Sequence, residues 1–72
     1  MPLVDVSMME GRSPRQIREL ITGLTDAVER ALGVPRENVR VIVREVPATH
    51  WAAGDQTLAE KYAVGRGDGA RG

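Results

Sequence analysis

Three residues of this 72-residue chain could together form a proton-transfer site: Pro2, Arg12 and Arg40. If Met1 is removed, Pro2 becomes a terminal secondary amine, and an ordinary α-amino group titrates near neutrality, at about 7.7–8.0. Such an amine can act as a general base at neutral pH. Two arginines grouped around it would bind a dicarboxylate and lower the pKa of the amine.

Pro2 and Arg40 each also have a purely structural interpretation. Proline suits the first position of a strand, because it has no ladder N–H to lose there, so Pro2 could simply begin one. The position of Arg12 instead favours anion binding, because it lies just ahead of a predicted helix, whose N-terminus already favours anions. An arginine inside a strand, such as Arg40, is most often a solvated edge residue or half of a salt bridge. The residues alone leave these alternatives open.

Other chemical constellations are missing from the sequence, which contains no Gly-rich phosphate loop, no nucleophile elbow and no histidine pair at metal spacing. The single histidine, His50, is interpreted as a loop hydrogen-bonding residue and not as a metal ligand. Glu10 could be a general acid, but a carboxylate in a turn before a helix is more often structural.

The elements that must position these residues begin with a strand. Alternation over residues 3–8 places Val4, Val6 and Met8 on one face, the pattern of a half-buried strand. A second strand is predicted over 39–46, where valines alternate with Arg40 and other exposed positions.

The segment between the strands predicts one amphipathic helix of about 19 residues. Ser13 is a good N-cap, Pro14 suits the first helical position and Gln16 completes a capping box. Gly33 is placed to end the helix. Gly23 weakens the helix interior, so we expect it to mark close packing against another element.

These elements predict an α/β fold: a single β-α-β unit with parallel strands and a short C-terminal hairpin. One helix covers one face of a two-stranded sheet, so the other face is expected to mediate oligomerisation. We expect a domain over residues 2–64, with a brief helical turn at 58–64, and a disordered tail over 65–72.

The composition agrees with a small self-associating protein. Ten basic residues balance ten acidic ones, and there is no cysteine, so disulfides cannot supply the stability that a small core lacks. Neither nucleic-acid binding nor a membrane span is indicated, and we expect a cytoplasmic protein.

The sequence resembles the 4-oxalocrotonate tautomerase (2-hydroxymuconate tautomerase) family of the tautomerase superfamily. The resemblance covers about residues 2–62 and rests on Pro2, the turn at 10–13, the single helix, the Val-Arg-Val-Ile run at 39–42 and the loop of His50 and Trp51.

The resemblance implies a role for each candidate. Pro2 would be the catalytic base, Arg12 would bind the distal carboxylate, and Arg40 would polarise the 2-oxygen and hold the adjacent carboxylate. Met9 would line the site with its backbone, and Trp51 would lower the polarity of the pocket. The implied reaction is keto–enol tautomerisation of a dicarboxylate enol such as 2-hydroxymuconate, without cofactor or metal. The implied assembly is a homohexamer, a trimer of dimers, with each site built from more than one subunit.

Two departures narrow this expectation. The related dehalogenase and hydratase branch activates water with a glutamate where this chain has Ala53, so addition of water is disfavoured here. That branch also has an arginine at the position of Met9 in this chain. A non-catalytic oligomeric binding module that captures an acidic ligand through Arg12 and Arg40, or a subunit of a hetero-oligomer, remains the alternative. A retained Met1 would favour the binding module, because it acylates the proline nitrogen.

Overall fold

The computed structural model describes the backbone of residues 2–66 and the side chains of residues 2–63. Strand β1 (Leu3–Met9) and strand β2 (Arg40–Val46) lie side by side and run parallel, joined by helix α1 (Pro14–Leu32). Each residue of β1 faces one of β2, from Leu3 opposite Arg40 to Met9 opposite Val46. The predicted β-α-β unit is therefore confirmed.

The ends of α1 are fixed by the local signals that predicted it. The Ser13 hydroxyl accepts the Gln16 N–H at 3.1 Å, and the Gln16 side-chain oxygen accepts the Ser13 N–H at 3.0 Å. Gly33 has a φ of +67° and donates its N–H to the Glu29 carbonyl at 2.9 Å, which satisfies a carbonyl at the end of the helix.

The two faces of the sheet differ in their covering. Side chains at positions 4, 6, 8, 41 and 43 are half-buried, and α1 packs against β2. On the other face Leu3 is 58% exposed and Ile42 is 40% exposed. None of the hydrophobic side chains within residues 2–63 is fully buried. The chain alone therefore leaves much of its apolar surface in contact with water, as its size and topology predicted.

A tight hairpin follows β2 and a 3₁₀ turn at Ala48–His50. Strands β3 (Ala52–Ala53) and β4 (Gln56–Thr57) pair antiparallel. Gly54 and Asp55 join them with φ angles of +61° and +71°. Two successive positive φ angles are the signature of a type I′ hairpin turn, whose twist matches that of the strands. The predicted short hairpin is confirmed.

The C-terminal helix α2 (Leu58–Arg66) extends further than the sequence indicated. Thr57 and Glu60 form a capping box at its start. The Thr57 N–H donates to the Glu60 carboxylate at 3.0 Å, and the Glu60 N–H donates to the Thr57 hydroxyl at 3.1 Å. At its other end the helix includes residues 65 and 66, where we expected a disordered tail. The rest of the predicted tail, 67–72, lies outside the described residues, and the domain boundary at 64 stays a prediction.

A bilayer span requires about 20 predominantly apolar residues. Within residues 2–66, neither α1 nor α2 supplies such a stretch.

Candidate active site

Pro2 and Arg40 lie together at one edge of the sheet. The backbone N–H of Arg40 donates to the carbonyl of Pro2 at 2.9 Å, which continues the β1–β2 pairing one residue beyond Leu3. Both strands begin at this edge because they run parallel. The fold thus fixes Pro2 beside Arg40 through the backbone, independently of side-chain rotamers.

The guanidinium of Arg40 carries a charge that no carboxylate balances within residues 2–63. Its Nη1 donates to the backbone carbonyl of Glu37 at 3.0 Å, and the side chain is otherwise exposed. Arg44, on the same strand, instead pairs with Asp5 through hydrogen bonds of 3.0 and 3.2 Å. Of these two strand arginines, Arg44 therefore has the salt-bridge role and Arg40 remains available to bind an anion.

Arg12 lies at the opposite edge of the sheet. It follows the end of β1 after Gly11, whose φ of +122° makes the turn away from the strand. Six residue steps separate the ends of β1, a distance of about 20 Å. The exposed side chain of Arg12 has no carboxylate partner among the described residues. One chain therefore does not bring Arg12 to Pro2 and Arg40.

Met9 lies at the carboxyl end of β1, and Trp51 follows the carboxyl end of β2 in the chain. Met9 ends β1 opposite Val46 and lines a cleft of about 370 Å³. Trp51 is half-buried at the base of the hairpin, where its carbonyl accepts the Leu58 N–H at 2.8 Å. The candidates thus form two groups in one chain. The amino-edge group is Pro2 and Arg40, and the carboxyl-edge group is Met9, Arg12 and Trp51.

The cleft beside Met9 was not predicted from the sequence. Its walls come from β1, the 3₁₀ turn and α2, and the described lining residues are Met9, Glu10, Ala48, Ala59, Tyr62 and Ala63. Positions 59, 62 and 63 recur at i, i+3 and i+4, the spacing of one helix face. That spacing would have revealed the wall, had residues 58–64 been treated as a full helix instead of a brief turn.

The single histidine has the loop role that was predicted for it. Nδ1 of His50 lies 3.1 Å from the hydroxyl oxygen of Thr49, within hydrogen-bond distance. Within residues 2–66, no group of three or more His, Cys, Asp or Glu residues is arranged to hold a metal ion.

Comparison with known proteins places these features in a family. Residues 2–61 match the protein family named Tautomerase, which is described as a family of tautomerase enzymes. A probable tautomerase of Ralstonia nicotianae is 53% identical over 51 residues, which cover 71% of this chain and 73% of that protein. A probable tautomerase of Staphylococcus saprophyticus is 39% identical over 51 residues, covering 71% and 84%.

Solved structures show the same similarity in three dimensions. TomN, a 4-oxalocrotonate tautomerase homologue in the tomaymycin biosynthetic pathway, is 45% identical with a TM-score of 0.84, covering 86% of this chain and 95% of TomN. A heterohexamer 4-oxalocrotonate tautomerase from Chloroflexus aurantiacus is also 45% identical, with a TM-score of 0.79 and coverage of 83% and 97%.

Proposed function

The chain belongs to the tautomerase family, and we propose that it is a keto–enol tautomerase whose general base is Pro2, exposed by removal of Met1. Family membership supports an isomerase role. The observation that carries the finer proposal is the 2.9 Å hydrogen bond from the Arg40 N–H to the Pro2 carbonyl. It holds the residue of the candidate base beside Arg40 in the backbone pairing, and no described carboxylate neutralises the Arg40 guanidinium.

The proposed reaction moves one proton within the substrate. The Pro2 nitrogen takes the hydroxyl proton of a 2-hydroxy-dienoate dicarboxylate such as 2-hydroxymuconate. The O–H electron pair forms the 2-oxo group, the double bonds shift, and the same proton is returned to a distant carbon to give the conjugated 2-oxo-enoate. Arg40 stabilises the negative charge that develops on the 2-oxygen, while Arg12 binds the far carboxylate. The structural neighbour from Chloroflexus aurantiacus, described as a 4-oxalocrotonate tautomerase, supports this substrate class.

The site requires more than one chain, because about 20 Å of β1 separates Pro2 from the Arg12 turn. We therefore propose that the amino-edge group of one chain meets the carboxyl-edge group of another. The exposed sheet face around Leu3 and Ile42 supports self-association, since contact with a second copy would remove it from water. The Chloroflexus neighbour is a heterohexamer, and for this chain we propose a homohexamer, a trimer of dimers.

Subunit complementation tests the shared site. One variant carries an N-terminal extension that blocks Pro2, and the other carries Arg12→Ala; the two are co-expressed with different C-terminal tags and the mixed oligomers are isolated. Each variant alone should convert a dicarboxylate enol poorly. If the Pro2 and the Arg12 of one site come from different chains, each is intact in about half of the sites after random mixing. About a quarter of the sites then have both residues intact.

Two outcomes would contradict different parts of the proposal, the site shared between chains and the tautomerase activity. Doubly tagged oligomers that show no recovery above the two parent variants would contradict a site shared between chains. Unaltered protein that binds the dicarboxylate without turning over any enol would contradict the tautomerase proposal and support the binding-module alternative. Ultraviolet absorbance follows the conversion directly.

A further inference from the structure

The guanidinium of Arg40 has one hydrogen-bond partner within residues 2–63, the backbone carbonyl of Glu37. Glu37 belongs to a 3₁₀ turn at Arg36–Asn38, named here the 36–38 turn, which lies between α1 and β2. Because the accepting group is a backbone carbonyl, its position depends on where the chain of the turn lies and not on a side-chain rotamer. The direction of the Arg40 side chain therefore depends on what holds this turn.

The backbone hydrogen bonds of the 36–38 turn are local. The Asn38 N–H donates to the Pro35 carbonyl at 2.9 Å, and the Val39 N–H donates to the Arg36 carbonyl at 3.1 Å. A single 3₁₀ turn has poorer hydrogen-bond geometry than an α-helix. These two bonds shape the turn but do not attach it to another element of the fold.

Arg36 supplies the attachment through its side chain. Its Nη1 donates to a carboxylate oxygen of Asp26 and to one of Glu29, each at 2.7 Å, and both acidic residues lie on α1. The hydrogen bond to Asp26, followed by that to Glu29, raises the pKa of Arg36 above its ordinary value. The three side chains are between 42% and 47% exposed, so each ion pair alone contributes little to stability. Together, the two bonds tie the first residue of the turn to the helix.

We propose that Arg36 is a positioning residue for Arg40. Its two carboxylate partners on α1 fix the 36–38 turn, and the turn fixes the Glu37 carbonyl that accepts the Arg40 guanidinium. That bond uses Nη1 of Arg40 and leaves its Nε and Nη2 donors without a partner in the described part of the chain. A guanidinium held in this way is preorganised to stabilise an oxyanion. The geometric claim stands on these contacts, whereas its consequence for catalysis rests on the proposed function of Arg40.

NMR of the arginine side chains tests the geometric claim in the full-length assembled protein. The Nε–H signal of Arg40 is assigned by its loss in Arg40→Lys. Arg36→Met keeps the length of the side chain but removes its charge and its donors. In this variant the Nε–H signal of Arg40 should shift, and its guanidinium should rotate about the Nε–Cζ bond about two- to fivefold faster, the range expected for loss of exposed ion pairs.

The matched control is Arg15→Met. It removes an arginine that also pairs with a carboxylate of α1, that of Glu19, and whose side chain is 87% exposed. The control should leave the Arg40 signal and its rotation rate unchanged. An Arg40 signal that is the same in Arg36→Met as in the unaltered protein would overturn the proposal, whether or not the protein is a tautomerase.

Steady-state kinetics test the consequence for the proposed reaction. Arg36→Met should lower kcat about two- to fivefold and leave KM nearly unchanged, because Arg40 is proposed to act on charge that develops during the reaction. Arg36→Lys retains a cation that can donate to both carboxylates, and should recover most of the loss. In an Arg40→Ala background, Arg36→Met should cause no further loss of kcat, since no guanidinium remains to be positioned.

The carboxylates give a second route to the same effect. Asp26→Asn combined with Glu29→Gln should reproduce the Arg40 spectrum of Arg36→Met, and adding Arg36→Met should change it little further. Equal losses of kcat on replacing Arg36 with and without Arg40 present would indicate a general effect on the fold and overturn the positioning role. If the unaltered protein turns over no enol, the proposed function fails, and the Arg40 spectra still decide whether Arg36 holds the turn.

Discussion

The carboxylate of Asp5 accepts two hydrogen bonds from the guanidinium of Arg44, at 3.0 and 3.2 Å, across the two parallel strands. The hydrogen bonds and the nearby negative charge raise the pKa of Arg44 above its ordinary value. Together with the exposed Leu3 and Ile42, this pair gives the open side of the sheet an apolar surface that contains one paired charge. Because each ion of the pair already has its partner, a second subunit can cover Asp5 and Arg44 without leaving either of them unpaired.

We first predict that Arg44→Ala weakens self-association, because it leaves the Asp5 carboxylate unpaired where subunits are proposed to meet. Sedimentation velocity over a dilution series should show dissociation at higher protein concentration than for the unaltered chain. The charge-swapped double variant Asp5→Arg with Arg44→Asp should recover part of the loss. Unchanged sedimentation of Arg44→Ala would show that this face is not the subunit contact.

The second prediction concerns Gly23, in the middle of α1. We expected this glycine to mark close packing, but a Cβ placed there meets no heavy atom of the described residues within 4 Å beyond the neighbouring backbone of α1 itself. Gly23→Ala should therefore raise the free energy of unfolding by about 0.5–1 kcal/mol through helix propensity. Urea denaturation monitored by circular dichroism measures the change. A loss of stability would instead place Gly23 against a neighbouring subunit.

The fold was largely predictable because its signals are local. The capping box of Ser13 and Gln16 and the helix-ending Gly33 each act within four residues, so the bounds of α1 follow from the sequence. Thr57 and Glu60 carry the same signal for the start of α2, which lies at Leu58 as the sequence indicated, but a cap at the start does not determine where the helix ends.

The candidate site was less predictable because it depends on distant pairings. Asp5 and Arg44 are 39 positions apart, and they meet only because the register sets Asp5 opposite Ile42, two residues from Arg44. The cleft likewise requires β1 and α2 to meet. The chain that supplies Arg12 to a given Pro2 depends on packing between copies, and no pattern within one sequence records that packing.

The third prediction is that Arg40→Ala chiefly lowers kcat. Its guanidinium is proposed to stabilise charge that develops on the 2-oxygen, and loss of one such donor costs about 100-fold. The matched control is Arg15→Ala, which removes an arginine whose side chain is 87% exposed on α1. Steady-state kinetics should leave the control near the unaltered rate. Equal losses in both variants would indicate a general effect of charge and not a role in the reaction.

The fourth prediction is that Arg12→Ala chiefly raises KM, and only for substrates with a second carboxylate. A charge-assisted hydrogen bond contributes about 1.5–3 kcal/mol, so KM for a dicarboxylate enol should rise about 10- to 100-fold. A monocarboxylate enol, assayed in parallel, should be nearly unaffected. An equal rise for both substrates would contradict a role in binding the distal carboxylate.

The last prediction concerns the ionisation of Pro2. A general base must be unprotonated to accept a proton, so kcat/KM should rise with pH through the pKa of the Pro2 amine and then level off. Neighbouring cations such as Arg40 disfavour the protonated amine, so we expect the rise in kcat/KM to lie at a pH below the pKa range of an ordinary α-amino group.

Variants at the N-terminus test the same role. Pro2→Ala retains an amine at the terminus and should be impaired but active, with the rise in kcat/KM at a different pH. An N-terminal extension should abolish turnover without changing sedimentation. Mass spectrometry establishes in each preparation whether Met1 is present. Undiminished tautomerase activity in protein that retains Met1 would refute the mechanism and leave Pro2 as a residue that merely precedes a strand.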